Sequence, residues 1–263
     1  MNTDIKEFDE EKIMQEIIAL VRECGMIMKN ADRSTALIDA KSGHKNFVTT
    51  YDKMIQEKLK AGLYKILPEA AFVGEEDEVH SYKGEGYAFI VDPIDGTSNF
   101  IKDYKMSCTS VGLHRDGKPY MGVIYNPYAD EMFTAIKGKG AFLNGERIHV
   151  SEADISEALV VFGTAPYYEE IMEQSFEYAK KALKKCIDVR RSGSCALDMC
   201  AVAAGRADFY FEPRICPWDI AAGAIIVEEA GGAAITMEGG ELCFTDKGSV
   251  TASNGIISMS DIE

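Results

Sequence analysis

The chain has 263 residues, of which 46% are hydrophobic, and its 43 acidic against 28 basic side chains give a formal net charge of −15. This length predicts one large domain or two medium domains with a proper hydrophobic core. The acidic balance argues against a nucleic acid as the main partner or as a polymeric substrate. Because the same field repels phosphate esters, a phosphate site in this chain would require a bound cation.

Other features of the sequence predict a soluble protein of the cytoplasm. The seven cysteines are odd in number and include no Cys-x-x-Cys pair, as expected of reduced thiols. Residues 1–11 are polar and acidic, unlike a signal peptide. Glu228 and Glu229 interrupt the best apolar run, so no membrane contact is expected.

Two amphipathic helices are predicted in the first quarter of the chain. Apolar residues recur at helical spacing over 13–28. After a polar loop at 42–46, a second helix with threonine caps at 49–50 stops before Pro68. Asp52 falls in the first turn of this second helix, where it could compensate the helix dipole or serve a functional site.

Acidic side chains follow two consecutive predicted strands. The strand 71–73 leads into four acids within 74–78, and the apolar strand 87–91 leads into the Asp-Pro-Ile-Asp segment 92–95. Each segment alone fits an ordinary turn or a solvated loop. Neighbouring strand ends, however, can place their carboxylates around one hard metal ion.

The residues after this acidic segment suit a phosphate group. Gly96 permits backbone angles that larger residues resist. The Thr-Ser-Asn segment 97–99 has residue types that begin helices and leave backbone N–H groups unpaired. Carboxylates for a metal are thus followed directly by amides suited to a phosphate.

The pattern of predicted secondary structure changes near residue 150. Before it, short strands and tight turns predict a mainly antiparallel meander, with strands at 106–114, 119–126, 131–136, 141–143 and 147–150. After it, strands and helices alternate, which predicts a sheet with covering helices. The expected strands are 159–162, 187–190, 207–211, 233–237 and 250–253, and the expected helices are 168–185, 196–204 and 218–230. We therefore expect a metal-site domain at 1–150 and an α/β domain at 151–263.

The last of these helices opens with Pro217-Trp218-Asp219 and has a predicted buried stripe that includes Trp218, Ala222 and Ile225. Asp219 in its first turn could complement the helix dipole or add a further carboxylate to the metal site.

Taken together, the motifs resemble the inositol monophosphatase family of magnesium-dependent, lithium-sensitive phosphatases. The matching segments are Gly74-Glu75-Glu76, the nine residues 92–100, Gly140-Ala141-Phe142-Leu143-Asn144-Gly145, Arg191-Ser192-Gly193-Ser194, the six residues 218–223, and Glu228-Glu229-Ala230-Gly231-Gly232. They run in the family's order over almost the whole chain. The resemblance implies an α+β fold, a layered α-β-α-β-α sandwich, and usually a homodimer.

The resemblance also implies a set of metal ligands. Glu75, Asp92 and the carbonyl oxygen of Ile94 would hold one Mg²⁺, and Asp92, Asp95 and Asp219 would hold a second. Glu75 would help to bind a third, weaker ion, which makes two or three ions for each active site.

Further roles follow from the same resemblance. Asp52 and Thr97 would orient the attacking water, and Glu75 would activate it. The residues implied in contacts with the substrate are Asp95, Gly96, Thr97, Ser194, Cys195, Glu212 and Asp219. Cys195 stands where alanine is usual, at the start of a helix, so it could be a reactive thiolate or an inert buried thiol.

The function expected on this basis is Mg²⁺-dependent hydrolysis of myo-inositol monophosphate, a small-molecule phosphate ester, by metal-activated water. The same centre could instead act on fructose 1,6-bisphosphate or a 3′-phosphoadenosine nucleotide. A non-catalytic module that binds inositol phosphate is the remaining alternative, and the complete set of acids argues against it.

Overall fold

A computed structural model describes residues 9–33, 38–42, 46–77, 82–166 and 168–263. The described part contains seven α-helices, a two-stranded hairpin, a seven-stranded sheet and a five-stranded sheet. No helix of this part is long and apolar enough to cross a membrane.

The two predicted N-terminal helices are confirmed as α1 (Glu10–Lys29) and α2 (Thr50–Ile66). Asp9 caps α1 by accepting a hydrogen bond from the Lys12 N–H at 3.1 Å. Thr49 and Asp52 form a reciprocal capping box at the start of α2.

A hairpin of β1 (Ile38–Ser42) and β2 (Asn46–Thr49) precedes α2, and Ile38 pairs with Thr49. The sequence predicted only a polar loop at 42–46, of which residues 43–45 lie outside the described residues. The strands were missed because such short segments carry too few alternating apolar residues to show a period of two.

The predicted meander is confirmed as a seven-stranded sheet in which β3 and β4 are parallel and all other neighbours are antiparallel. Its strands lie in chain order: β3 (Ala71–Gly74), β4 (Tyr87–Asp95), β5 (Cys108–Arg115), β6 (Lys118–Asn126), β7 (Glu131–Ile136), β8 (Gly140–Leu143) and β9 (Glu146–Ile148). The short helix α3 (Thr97–Ile101) follows β4.

The strand β4 continues four residues beyond its predicted end at residue 91. Its register against β5 shifts between Asp92 and Asp95, where Pro93 has no N–H to donate to the ladder. The irregular segment therefore carries both carboxylates at the end of the strand.

The second half of the chain forms a five-stranded sheet in the order β11-β10-β12-β14-β13. Its strands are β10 (Leu159–Phe162), β11 (Asp188–Arg190), β12 (Phe209–Ile215), β13 (Ala233–Ile235) and β14 (Gly248–Ser253). The helices are α4 (Glu169–Leu183), α5 (Cys195–Ala203), α6 (Pro217–Glu229) and the short α7 (Met259–Ile262), which was not predicted.

Three apolar clusters join these elements into five layers. One lies between α1, α2 and the seven-stranded sheet, a second contains α5 and α6 between the two sheets, and a third joins the five-stranded sheet to α4 and α7. The expected α-β-α-β-α sandwich is confirmed. The division at residue 150 stays a prediction, and the connection between β9 and β10 runs through that point.

The predicted buried stripe on α6 is confirmed at Ala222 and Ile225, but it is incomplete and Trp218 is not part of it. Every residue from Ile220 to Val227 is buried, whereas Trp218 is only partly buried. A helix between two sheets has to be apolar on all sides, so no single face of α6 could be identified from its pattern.

Candidate active site

A cavity of about 230 Å³ opens where strand ends of the two sheets face each other. It is lined by every predicted metal and substrate residue: Glu75, Asp92, Ile94, Asp95, Gly96, Thr97, Ser194, Cys195, Glu212 and Asp219. Asp52 does not line it. A larger cavity of about 800 Å³ beside α1 and β7 is lined by none of these residues.

Three carboxylates form a compact cluster in this cavity. Asp92, Asp95 and Asp219 each offer an oxygen, and the three atoms lie within 4.8 Å of one another. The first two come from the end of β4, and the third comes from the first turn of α6. Asp219 also accepts a hydrogen bond from the Cys216 N–H at 2.9 Å, so it caps the helix as well as facing the cluster.

Burial and mutual repulsion disfavour the ionised forms of this cluster. Burial, then the negative charge of Glu75, raises the pKa of Asp92 well above its usual range. Burial, then Asp95, raises the pKa of Asp219 in the same direction. Burial raises the pKa of Asp95 to about 6, although hydrogen bonds from the Ser194 hydroxyl and the Ala196 N–H oppose the shift.

A divalent cation fits this cluster. It would supply the positive charge that the carboxylates need in order to ionise together. All donors are oxygen atoms, which Mg²⁺ prefers. Ile94 also lines the cavity while its side chain packs in the core below α1 and α2, and its carbonyl oxygen accepts from the Thr97 hydroxyl at 3.1 Å.

Glu75 is held beside Asp92 by the loop after β3. Its N–H donates to the Val91 carbonyl at 3.2 Å, which continues the contact between β3 and β4. Gln56 of α2 supports the next residues, because its side-chain oxygen accepts from the Glu76 N–H at 2.9 Å and its amide donates to Asp77 at 3.1 Å. The described part of the acidic segment, residues 74–77, is therefore partly ordered by α2 and is not simply a solvated loop, whereas Glu78 lies outside the described residues.

Thr97 links the cavity to Asp52. The Thr97 hydroxyl lies 3.3 Å from Asp52 Oδ1 and 3.1 Å from the Ile94 carbonyl oxygen. Asp52 is fully buried, and its other oxygen accepts from the Thr49 N–H at 2.8 Å. Asp52 therefore caps α2 and is also the hydrogen-bond partner of Thr97, while its part in a functional site stays a prediction.

Gly96 makes the turn between β4 and α3. Its φ of +83° lies in the left-handed region, and an added Cβ would lie 2.8 Å from the Met106 carbonyl oxygen. Asn99 fixes the other side of the turn, because its amide donates to the carbonyl oxygens of Met106 at 2.7 Å and Ser192 at 2.9 Å. This last contact ties the segment after β4 to the segment before α5.

Glu212 of β12 lies on the opposite wall, 8% exposed. Its two oxygens accept from the Ala165 N–H at 2.9 Å and the Tyr210 hydroxyl at 2.7 Å. Gly163 leaves room for it, since a Cβ there would lie 2.0 Å from a Glu212 oxygen. Among the described residues Glu212 forms no ion pair with Arg214, whose guanidinium lies 4.4 Å from the centre of the Tyr168 ring.

Of the two interpretations of Cys195, the structure favours the buried thiol. The side chain lines the cavity but is only 7% exposed. Burial, followed by the negative charge of Asp219, raises the pKa of the thiol well above its usual range. Both effects oppose the dipole of α5.

The sequence profile described as the inositol monophosphatase family matches residues 9–261. The chain belongs to the inositol monophosphatase family. Members of this family are Mg²⁺-dependent phosphatases, and the acidic cluster of this chain agrees with that chemistry.

Individual relatives cover nearly the whole chain. Inositol monophosphatase 2 of Solanum lycopersicum is 37% identical over 89% of this chain and 91% of its own length. Nus factor SuhB of Pasteurella multocida is 34% identical over 91% of both chains. The crystal structure of the extragenic suppressor protein suhB from Bartonella henselae superimposes with a TM-score of 0.88, at 30% identity over 95% of this chain and 97% of that one.

Within this family member, the cavity also contains polar residues that the sequence did not identify. Arg191, Arg214 and Lys247 line it, and so does Asp198, whose pKa is raised well above its usual range by burial. Arg214 lies near the end of β12, in no segment that matches the family. Lys247 carried no sequence signal, because it is one lysine in a polar segment that precedes β14.

Proposed function

We propose that this phosphatase hydrolyses myo-inositol monophosphate to inositol and inorganic phosphate in a Mg²⁺-dependent reaction. The observation that carries the proposal is the cluster of Asp92, Asp95 and Asp219 in the same cavity as Thr97 and Glu212. Glu75, the three aspartates and the Ile94 carbonyl would hold two or three Mg²⁺ ions. When bound, these ions lower the pKa of water, neutralise the phosphate and stabilise the leaving alkoxide.

The residues around the cluster would position the reactants. The Thr97 hydroxyl has two acceptors in reach, Asp52 Oδ1 at 3.3 Å and the Ile94 carbonyl oxygen at 3.1 Å. With a metal ion on the Ile94 carbonyl, the hydroxyl would donate to Asp52, and the lone pairs of Thr97 Oγ1 would accept a hydrogen bond from the attacking water. Glu75, beside Asp92, would take up the proton that this water loses. The N–H groups of Gly96 and Thr97 would bind phosphate oxygens in the ground state and in the transition state.

The alcohol would be recognised on the opposite wall. Glu212 is buried and held by two hydrogen bonds, so its carboxylate can accept from a substrate hydroxyl without first being ordered. A polyol such as inositol offers hydroxyls to this wall, and a simple ester does not fill the pocket equally. We therefore favour inositol monophosphate among the monoesters.

Two further assignments belong to this proposal. We infer that the protein is cytoplasmic, because all seven cysteines are free thiols, and that it forms a homodimer as the family usually does. We also expect Li⁺ to inhibit it, since a small monovalent cation can occupy a Mg²⁺ position after the substrate binds. Light scattering coupled to gel filtration measures the oligomeric state directly.

Phosphate release over a panel of esters tests the function. With Mg²⁺ present, inositol 1-phosphate should give a higher kcat/KM than glycerol 2-phosphate, and EDTA or Li⁺ should suppress the reaction. Turnover of fructose 1,6-bisphosphate or of a 3′-phosphoadenosine nucleotide in place of inositol phosphate would transfer the assignment to that substrate. Absence of phosphate release from every ester would leave only the non-catalytic binding module.

A further inference from the structure

Among the described residues, three buried side-chain atoms have no hydrogen-bond partner. They are the hydroxyl oxygens of Ser107 and Ser110 and the Nδ1 atom of His114, and all three side chains are fully buried. Nearly every buried polar group of a folded protein has a partner, because burial without a hydrogen bond costs free energy. An unpartnered hydroxyl therefore needs an explanation, and the position of Ser110 supplies one.

Ser110 of β5 lies directly across the ladder from Asp92 of β4. Opposite residues of an antiparallel pair have their side chains on the same face of the sheet, with Cβ atoms about 4.5–5.5 Å apart. This face is turned towards α6. Cys108, two residues before Ser110, belongs to the apolar cluster between the two sheets. A Cβ at Gly112, two residues after it, would lie 2.8 Å from the carbonyl carbon of Ala221.

Asp92 is the charged neighbour of Ser110 on this face. On the other side of β5, the ladder places Ile124 of β6 opposite Ser110, and this residue is fully buried in the apolar cluster. Asp92 Oδ1 accepts a hydrogen bond from the Ile94 N–H at 3.0 Å, whereas a carboxylate can accept about four. A buried donor without an acceptor thus lies next to an acceptor with remaining capacity.

We propose that Ser110 is a positioning residue of the metal site, whose hydroxyl donates a hydrogen bond to the Asp92 carboxylate when Mg²⁺ is bound there. The inference rests on the proposed function, which takes Asp92 as a ligand shared by two ions. In the metal-free structure the hydroxyl makes no hydrogen bond, so the contact requires the Asp92 side chain to rotate towards β5. A donor behind a ligating carboxylate fixes its orientation, and such support contributes strongly to metal affinity.

The other two unpartnered atoms lie away from the proposed ligands. Ser107 precedes β5 and borders the turn at Gly96, where an added Cβ would lie 3.4 Å from the Ser107 Cβ. His114 lies towards the opposite end of β5 and pairs with Ala88 in the ladder. Ser110 is the one of the three that the register places opposite a proposed metal ligand, so Ser107 provides a matched comparison.

The first test measures metal binding and stability of Ser110→Ala. Titration calorimetry with Mg²⁺ should give a Kd roughly 10- to 100-fold above that of the wild type. Calorimetric unfolding in EDTA should give a Tm higher by roughly 2–4 °C, because the variant no longer buries an unpartnered hydroxyl. A hydroxyl that only supported the fold would change Tm in the opposite direction and would leave the Kd for Mg²⁺ unaffected.

Ser107→Ala is the matched control, since it removes an equally buried and unpartnered hydroxyl. It should raise the Tm of the metal-free protein by a similar amount and leave the Kd for Mg²⁺ within about twofold of the wild type. Kinetics provide a further readout. Ser110→Ala should raise the Mg²⁺ concentration for half-maximal rate by a larger factor than it lowers kcat.

The outcomes distinguish this inference from the proposed function. An unchanged Kd in Ser110→Ala, or an equal increase in Ser107→Ala, overturns the role of Ser110 while hydrolysis of inositol 1-phosphate by the wild type upholds the function. A Tm of metal-free Ser110→Ala at or below that of the wild type also overturns it, because the hydroxyl would then have a partner such as buried water without metal. If the wild type binds Mg²⁺ but hydrolyses no ester, the proposed function fails, and the Kd values still decide on Ser110. A wild type that binds no Mg²⁺ overturns both.

Discussion

Asp92 is 2% exposed, and its pKa is raised by burial and then by the charges of Glu75, Asp95 and Asp219. Without a cation, the ionised carboxylate opposes folding, because its charge is both desolvated and repelled. The proposed catalysis requires that same ionised carboxylate as the ligand shared by two metal ions. Activity and stability of the metal-free protein are therefore in conflict at this residue.

The substitution Asp92→Asn should abolish Mg²⁺-dependent turnover and raise the thermal stability of the metal-free protein. Asparagine keeps the shape and can keep the acceptor for the Ile94 N–H at 3.0 Å, but it has no charge to desolvate. A gain of about 1 kcal/mol would raise Tm by about 2–4 °C for a chain of this size. Phosphate release and differential scanning calorimetry in EDTA at pH 8 measure the two effects.

Glu16→Gln is the control for this experiment, since Glu16 is exposed on α1 and its loss changes the net charge equally. It should retain full activity and shift Tm by much less. Mg²⁺-dependent turnover by Asp92→Asn would contradict its assignment as a metal ligand. A lower Tm for this variant would contradict the proposed conflict between charge and stability.

Glu212 is predicted to accept a hydrogen bond from a hydroxyl group on the alcohol part of the substrate. Glu212→Gln keeps the length of the side chain and its contacts with Ala165 and Tyr210, but removes the charge from its hydrogen bond to the substrate. We expect a roughly tenfold fall in kcat/KM for inositol 1-phosphate and a much smaller fall for glycerol 2-phosphate.

Tyr210→Phe serves as the comparison for Glu212, because it removes one support and leaves the carboxylate. For either ester, the fall in kcat/KM caused by Tyr210→Phe should be smaller than the fall that Glu212→Gln causes for inositol 1-phosphate. An equal loss on every ester in Glu212→Gln would show that the residue supports the catalytic centre or the fold. The dependence of the rate on Mg²⁺ should barely change, since Glu212 is not a proposed ligand.

At the scale of elements, the turn between β4 and α3 determines where Thr97 lies. Gly96→Ala would add a Cβ 2.8 Å from the Met106 carbonyl oxygen at a φ of +83°. We expect a loss of about 1–3 kcal/mol in the free energy of unfolding. We also expect a large fall in kcat, because the turn has to shift and Thr97 moves away from Asp52.

Gly138→Ala is a matched control, with a φ of +78° and nothing within 4 Å of the added Cβ. It should lose about 1 kcal/mol from backbone strain alone and keep its activity. Urea unfolding and kcat are measured for both variants. If Gly96→Ala loses no more stability or activity than Gly138→Ala, the contact with Met106 does not control the site.

The elements that could be predicted from sequence are helices that pack against one layer only and strands that are bounded by turn residues. α1 and α2 each bury one stripe, and the strands β5 to β9 are separated by clear turn residues, so their periods are visible. α6 contacts two sheets and has no stripe. The hairpin of β1 and β2 is too short to show a period.

At the scale of the whole molecule, the two walls of the cavity differ in how far they could be predicted. The acids of β3 and β4 are close in sequence and follow consecutive strands, so Glu75, Asp92 and Asp95 could be grouped from the chain. The cations of the cavity are Arg191, which lies in a segment that resembles the family, and Arg214 and Lys247, which lie in no such segment. Only the strand order of the second sheet brings them to one edge.

The acidic cluster as a whole should make the stability of the metal-free protein fall with rising pH. An aspartate ordinarily has a pKa of about 3.9, whereas the pKa of Asp95 is raised to about 6 and the pKa values of Asp92 and Asp219 are raised well above their usual range, in each case mainly by burial. A carboxyl group with a raised folded-state pKa contributes stability that is fully present below its unfolded pKa. That stability is lost as pH rises through the folded pKa.

Mg²⁺ should reverse this dependence, because it binds the ionised carboxylates and must displace protons at low pH. At a Mg²⁺ concentration about 100-fold above Kd at pH 8, the stabilisation would be about 2.7 kcal/mol. At pH 5 the same Mg²⁺ concentration should shift Tm much less. Subtracting the pH profile of Asp92→Asn from that of the wild type removes the contribution of groups outside the cluster. A Mg²⁺-induced shift in Tm that is equal at pH 5 and pH 8 would mean that these carboxylates are not the ligands. The metal ions would then have to be assigned to other residues of the chain.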